Sequence, residues 1–345
     1  MKLKELVNSK FVISNDNSKR VLVVYHREDN DGLFSGAIIM HYLHNELKID
    51  LDDIFMIGED YSTLKDITTD DIDVLRKNFK QFIMTDLAFN DHNIMKYVKN
   101  SFGNQFVWID HHGPAIGMSV QYKYDDVNGC RGTDRSAILQ AYKYCYDPFD
   151  EEYNSDEFHG NIPMLFQLLS AWDSFNFGDN DLDYVSAINV GVNEEYNLNL
   201  DNIYQLVHWL MHPMSNDHQH EEQIDELYNS GKIVNKANAR LYANLIKSVG
   251  DTSFTLDNGE AVTVLVMQGP TNSLAFKTAN TPHGAVFKRL PSGGWVVSLY
   301  NVSTENKFHC GEYLKKKYKG GGHVGAAGCQ LTEKQMMKVF KNKVI

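Results

Sequence analysis

The chain has 345 residues, 43% of them hydrophobic and 12% aromatic, which is long enough for two cores and too apolar for a disordered chain. Its net charge of −12 is uneven: residues 315–345 hold eight lysines against one acid, giving +7 there and −19 elsewhere. An acidic surface repels long polyanions unless its basic groups are confined to one place. No apolar run reaches membrane-spanning length, and the N-terminal segment lacks a signal-peptide core, so we expect a cytoplasmic protein with no membrane partner. Cys130, Cys145, Cys310 and Cys329 form no CxxC pair, which points to reduced thiols rather than a zinc finger or a disulfide framework.

In chain order, apolar β-branched runs at 21–26, 53–58, 81–86 and 105–110 alternate with helix-like segments at 33–47, 69–79 and 90–99, the pattern of a parallel α/β domain. Three of these runs end on His26, Asp86 and Asp110. The C-terminal ends of strands in open α/β sheets line the ligand crevice, so polar residues there converge. Further on, Thr133 or Asp134 is expected to cap a helix through Tyr146, and 162–172 reads as a helix ending at Asp173. A break is expected at 212–218, then a long helical connection over 221–249, interrupted near Gly231. Asp257-Asn258-Gly259 and Pro291-Ser292-Gly293-Gly294 then separate β-like runs as hairpin turns. The expected fold class is α/β: a parallel-sheet N-terminal domain over 1–220, a helical linker over 221–250, and a smaller mixed-sheet α/β domain over 251–345.

The residues that carry chemistry sit at those strand ends. His26-Arg27-Glu28-Asp29-Asn30-Asp31-Gly32 follows the first run, and Asp110-His111-His112-Gly113 the fourth. Hard divalent ions such as Mn²⁺ accept carboxylate oxygen and imidazole nitrogen, and an Asp-x-Asp turn can offer two carboxylates. Taken alone, Asp29 and Asp31 read as helix caps; four separate strand-end placements favour a metal site. Near the far end, Lys319-Gly320-Gly321-Gly322-His323 leads into Gly325-Ala326-Ala327-Gly328. Successive small residues of this kind let backbone N–H groups close around an anion.

Together these strings resemble the DHH phosphoesterase superfamily, in the branch with a glycine-rich DHH-associated domain. His26, Asp29 and Asp31 match its first motif, Asp86 its second, Asp110-His111-His112 the name-giving third, and Asp173 a later acid. The resemblance implies two Mn²⁺ ions, with Mg²⁺ or Co²⁺ as substitutes, bridged by Asp86. One ion would be held by His26 and Asp29, the other by Asp31, His111 and Asp173. Asp110 and His112 would complete the catalytic site by orienting ligands or touching substrate. The glycine run, Gly320, Gly321 and Gly322, would close over the metal cleft with His323 and grip a terminal phosphate.

Two departures from the family pattern stand out. Only two residues separate His26 from Asp29, where many members have three. The strand Val297-Ser298-Leu299-Tyr300-Asn301 lacks a family arginine; Tyr300 is a candidate for stacking on a base, and Lys288 and Arg289 for restoring the charge.

The reading that follows is a Mn²⁺-dependent phosphodiesterase or phosphatase whose partner is a short oligonucleotide or small nucleotide, similar to nanoRNase and pAp phosphatase-type enzymes. The alternatives are a RecJ-like exonuclease on longer single strands, which the charge of −19 disfavours, and a catalytically inactive nucleotide-binding module.

Overall fold

The computed structural model describes residues 2–9, 20–146, 162–178, 180–212, 217–249, 253–257, 261–268, 275–276, 283–290, 293–301, 308–322, 324–342 and 344–345. The chain divides into two compact units, Met1–Lys232 and Ile233–Ile345.

In the first unit, β1 (Val21–His26), β2 (Ile54–Glu59), β3 (Gln81–Thr85) and β4 (Phe106–Ile109) form a parallel sheet of order β2-β1-β3-β4. Side chains alternate between the two faces of a strand, and here both faces are buried, as parallel sheets require. Val21, Val23, Ile83, Val107 and Ile109 enter one core, whereas Leu22, Val24, Phe82, Met84, Phe106 and Trp108 enter the other. The second core is closed by α1 (Leu3–Asn8) together with the helices Thr69–Asn78 and His92–Phe102.

Against the first core lies α2 (Asn30–His41), buried along almost its whole length, the state of a helix that is apolar all round. It stops short of the expected 33–47 because residues Tyr42–Glu46 continue as a π-helical turn. The same core takes in Ala137–Tyr146, Met164–Ser174, Leu182–Tyr196 and Leu200–Leu210. Strand order reverses between β1 and β3, which makes their C-terminal ends the switch-point crevice.

The helix expected over 221–249 is Asp217–Val249, unbroken at Gly231. Gly231 is buried, and a methyl group there would overlap the carbonyl oxygen of Ala187 in Leu182–Tyr196. The glycine marks a close helix crossing rather than an interruption. Residues 213–216 of the expected break lie outside the described residues.

The second unit carries a mixed six-stranded sheet, β5 (Ser253–Asp257), β6 (Ala261–Gln268), β7 (His283–Arg289), β8 (Trp295–Asn301), β9 (Gly321–Gly322) and β10 (Ala326–Leu331), in the order β5-β6-β7-β8-β10-β9. Among the described residues of these paired strands, β6–β7 is parallel and the other pairs are antiparallel. Phe287, Val297, Leu299 and Cys329 pack with Leu314 of the helix Cys310–Tyr318 and with Met336 and Val339 of Glu333–Asn342. The pairs β5–β6 and β7–β8 are antiparallel, as hairpins are; Asn258-Gly259 and Pro291-Ser292 lie outside the described residues. Among the described residues no helix is long and apolar enough to cross a membrane, and all four cysteines are buried outside any disulfide.

Candidate metal centre

Register brings the strand-end residues side by side. Tyr25 pairs with Thr85 and Thr85 with Ile109, so His26, Asp86 and Asp110, each next in its own strand, emerge together. Asp86 turns out of β3 in a left-handed conformation, φ 56°, held by its N–H donating to Ile109 O at 2.9 Å. Aspartate tolerates that region better than most residues, and strain of this kind concentrates at functional sites.

Asp86 is buried, and its two oxygens face different neighbours: Oδ2 is 3.4 Å from His26 Nδ1, and Oδ1 is 3.3 Å from His111 Nε2. Among the described residues, three groups of side chains gather with all candidate ligand atoms within 4.8 Å: His26, Asp29 and Asp86; Asp31, His111 and Asp173; Asp86, His111 and His112. Asp86 thus belongs to two of the three, and His111 links the remaining group to it. His111 Nε2 also lies 3.4 Å from Asp31 and 3.2 Å from Asp173. Asp173 sits within the last turn of Met164–Ser174 rather than beyond a helix end.

Each carboxylate is aimed by its local structure. Asp29 caps α2 with Oδ1, accepting from Gly32 N at 3.0 Å, while Oδ2 lies 3.1 Å from His26 Nδ1. The capping role and the site placement therefore coexist. Asp31 does something the sequence did not reveal: its carboxylate accepts from Ala137 N and Ile138 N, at 2.8 and 2.9 Å. It caps the helix Ala137–Tyr146 across 106 positions, displacing the expected Thr133 or Asp134, and the helix dipole favours its negative charge. Asp110 Oδ1 accepts from His111 N, His112 N and His112 Nδ1, at 2.8, 3.1 and 2.7 Å. A carboxylate only accepts, so Nδ1 of His112 is the donor in this pair.

The donor set fits divalent cations. Buried atoms that find no hydrogen bond among the described residues include His26 Nδ1, Asp86 Oδ1, Asp110 Oδ2 and Asp173 Oδ2. His26, Asp86 and Asp173 approach their neighbours at 3.2–3.4 Å without hydrogen-bond alignment, and buried polar atoms left so are costly unless an ion or water serves them. The electrostatics point the same way. Burial and the Asp86 carboxylate push Asp31 up to about 7. Burial opposes charge on His111, but Asp86, Asp31 and Asp173 outweigh it and push the imidazole up to about 11. His26 likewise rises to about 11 against burial, through Asp29 and Asp86. For Asp86, burial is overcome by His111 and His26, which hold it below the usual carboxylate range. The cluster demands positive charge, which protons supply when no metal does.

The remaining expected site residues lie in the second unit. Gly321 and Gly322 form the edge strand β9, paired with Gly328 and Ala327 of β10, and Gly320 precedes it. Gly322 has φ 137°, so the run is needed partly for backbone geometry. His323 lies outside the described residues. Arg289 is exposed, 3.9 Å from Glu333 and 6.0 Å from the Trp295 ring. Tyr300 packs on Phe276 with ring centroids 5.7 Å apart.

One residue at the metal centre was not anticipated. Tyr61, just after β2, lies 5.9 Å from the His26 ring and 5.8 Å from the His112 ring. Its position beyond a parallel strand was the only available signal, and a tyrosine there is ordinary.

No family model matches the chain, and no curated protein matches it. Solved structures do. The chain is similar to PggH, a pGpG-specific phosphodiesterase from Vibrio cholerae, with TM-score 0.45 and 15% identity over 94% of this chain and 97% of that one. An exopolyphosphatase-related protein from Bacteroides fragilis gives TM-score 0.48 and 13% identity over 94% and 91%. RecJ of Thermus thermophilus, solved with Mn²⁺, gives 0.48 and 12% over 99% of this chain and 52% of that one.

Proposed function

We propose that the protein is a metal-dependent phosphoesterase that hydrolyses phosphate esters of short oligonucleotides or small nucleotides. The observation that carries this reading is Asp86, a buried carboxylate whose two oxygens face two different imidazoles, each within its own carboxylate group. His26, Asp29 and Asp86 would hold one divalent ion, and Asp31, His111, Asp173 and Asp86 a second. Such ions supply Lewis acidity toward a phosphoryl group and acidify water. The chain's own part is positional. Asp110 commits Nδ1 of His112 as a donor, so the acid–base capacity of that ring rests on Nε2. The amino end of Ala137–Tyr146 locks Asp31.

Mn²⁺ is the expected ion, since a mixed set of carboxylate oxygen and imidazole nitrogen suits it, whereas Ca²⁺ uses imidazole nitrogen poorly. Hydrolysis should be stronger with Mn²⁺ than with Ca²⁺, stop in excess chelator, and return when Mn²⁺ is restored. Full activity in chelator would refute the metal-dependent reading.

The preference for short substrates rests on charge and on the glycine run: −19 outside residues 315–345 opposes a long polyanion. In this proposal His323 and Gly320–Gly322 grip a terminal phosphate, while Arg289 and Tyr300 serve the rest of the substrate. His323→Ala should raise KM for dinucleotides or pAp by about tenfold, the scale of one charge-assisted hydrogen bond. An aryl phosphodiester without a second phosphate should be spared, and equal losses on both would refute the terminal-phosphate grip. The deciding experiment is turnover with Mn²⁺ of two- to five-residue RNA and DNA, pAp, linear and cyclic dinucleotides, polyphosphate and long single strands. Degradation of long strands as readily as trimers would replace this reading with a RecJ-like exonuclease, and no turnover of any member would leave a nucleotide-binding module.

A further inference from the structure

Tyr61 stands on a short turn fixed from several sides. Asp60, before it, accepts Thr63 N at 3.1 Å and pairs with Arg27 at 3.1 Å, directly after the first-motif histidine. Asn90 Nδ2 donates to Tyr61 O at 3.4 Å. The ring packs against the second core of the first unit and remains partly exposed. It is tilted beside His26 and edge-on to His112, so the phenol spans two of the three candidate ligand groups.

Its hydroxyl lies 3.4 Å from His112 Nδ1. That nitrogen already directs its proton to Asp110 at 2.7 Å and has no lone pair to offer. The Tyr61 hydroxyl proton is therefore not consumed by the contact. The phenol hydroxyl is a neutral donor, whereas the carboxylates of the candidate ligand groups only accept.

We infer that the Tyr61 hydroxyl donates a hydrogen bond to a non-bridging oxygen of a phosphoryl group bound at the metal centre, making Tyr61 a substrate-contacting residue. The inference rests on the phosphoesterase reading. It follows from the chemistry of the cluster: Asp29, Asp31, Asp86 and Asp173 can hold cations but only accept hydrogen bonds, and Tyr61 supplies a donor beside them without adding charge.

The test compares the full chain with Tyr61→Phe, which removes only the hydroxyl, using Mn²⁺ alone and then inorganic phosphate on the Mn²⁺-loaded protein. Matching melting curves establish that the variant is folded. Calorimetry should give Mn²⁺ affinities within about twofold of each other, and phosphate affinity weaker by about tenfold in the variant, the scale of one hydrogen bond to a charged group. kcat/KM on an aryl phosphodiester should fall by at least as much. Unchanged phosphate affinity would overturn the inference, as would a parallel loss of Mn²⁺ affinity, which would make Tyr61 a brace for His112. If the wild-type chain binds phosphate and turns over esters while Tyr61→Phe matches it, the inference alone fails. If the wild-type chain does neither, the phosphoesterase reading fails and takes the inference with it.

Discussion

Asp86→Asn is expected to abolish the proposed Mn²⁺-dependent hydrolysis, with a loss well beyond a hundredfold. Losing an outer-sphere partner of a metal ligand typically costs about 10- to 100-fold, so an effect inside that range would place Asp86 outside the ligand set. A larger one is expected because each of its oxygens faces a separate group, and the amide removes the charge from both at once. Asparagine is the informative substitution. Asp86 sits at φ 56°, where asparagine is tolerated and alanine pays about 1–2 kcal/mol of steric cost. Asp86→Ala would therefore mix backbone strain with the loss of a ligand. Mn²⁺ should also raise the melting temperature of the wild-type chain, since a ligand at 100 times its Kd stabilises by about 2.7 kcal/mol. That rise should vanish in Asp86→Asn while a cooperative melt persists in chelator. Near-normal turnover, or a retained Mn²⁺-induced rise, would remove Asp86 from the centre of the mechanism.

The frame of the first unit was legible because parallel strands advertise themselves. The runs ending at His26, Asp86 and Asp110 needed only the rule that strand ends converge, and the sheet order puts β1 and β3 at the switch point. Less was legible wherever a residue acts across the fold. Nothing local distinguishes Asp31 from Asp29, yet one caps its own helix and the other caps Ala137–Tyr146 from far upstream. The expected cap at Thr133 or Asp134 failed for that reason: capping preference is read from neighbours in sequence, and this cap is a neighbour only in space. The left-handed turn at Asp86 and the placement of Tyr61 against His26 and His112 are likewise tertiary facts. The glycine run was read as an anion loop, and part of it pairs as the edge strand β9. Composition alone does not separate a small-residue edge strand from a loop, since both use glycine for close backbone approach.

Gly231 turns the same distinction into a stability measurement whose sign is in dispute between the two levels. Read along the helix Asp217–Val249, glycine is a weak point, and Gly→Ala at an unhindered helical site stabilises by about 1 kcal/mol. Read in space, the added methyl overlaps Ala187 O, while a methyl on Gly191 would overlap Leu227 O from the opposite side of the same crossing. Backbone carbonyls cannot rotate away as a flexible side chain can, so the helices must move apart. Overpacking of this kind costs about 1–3 kcal/mol, and more where backbone must shift. It also pulls Ile224 and Leu227 out of the core they share with Ile188 and Val192, and that lost burial adds to the cost. The steric contribution wins, and Gly231→Ala should lower unfolding stability by about 2 kcal/mol or more, read as a lower urea midpoint at an unchanged slope. A midpoint at or above wild type would show that the two helices do not approach at Gly231. The substitution should leave Mn²⁺ affinity of the folded protein in place, because none of the groups around Asp86 draws a ligand from this crossing.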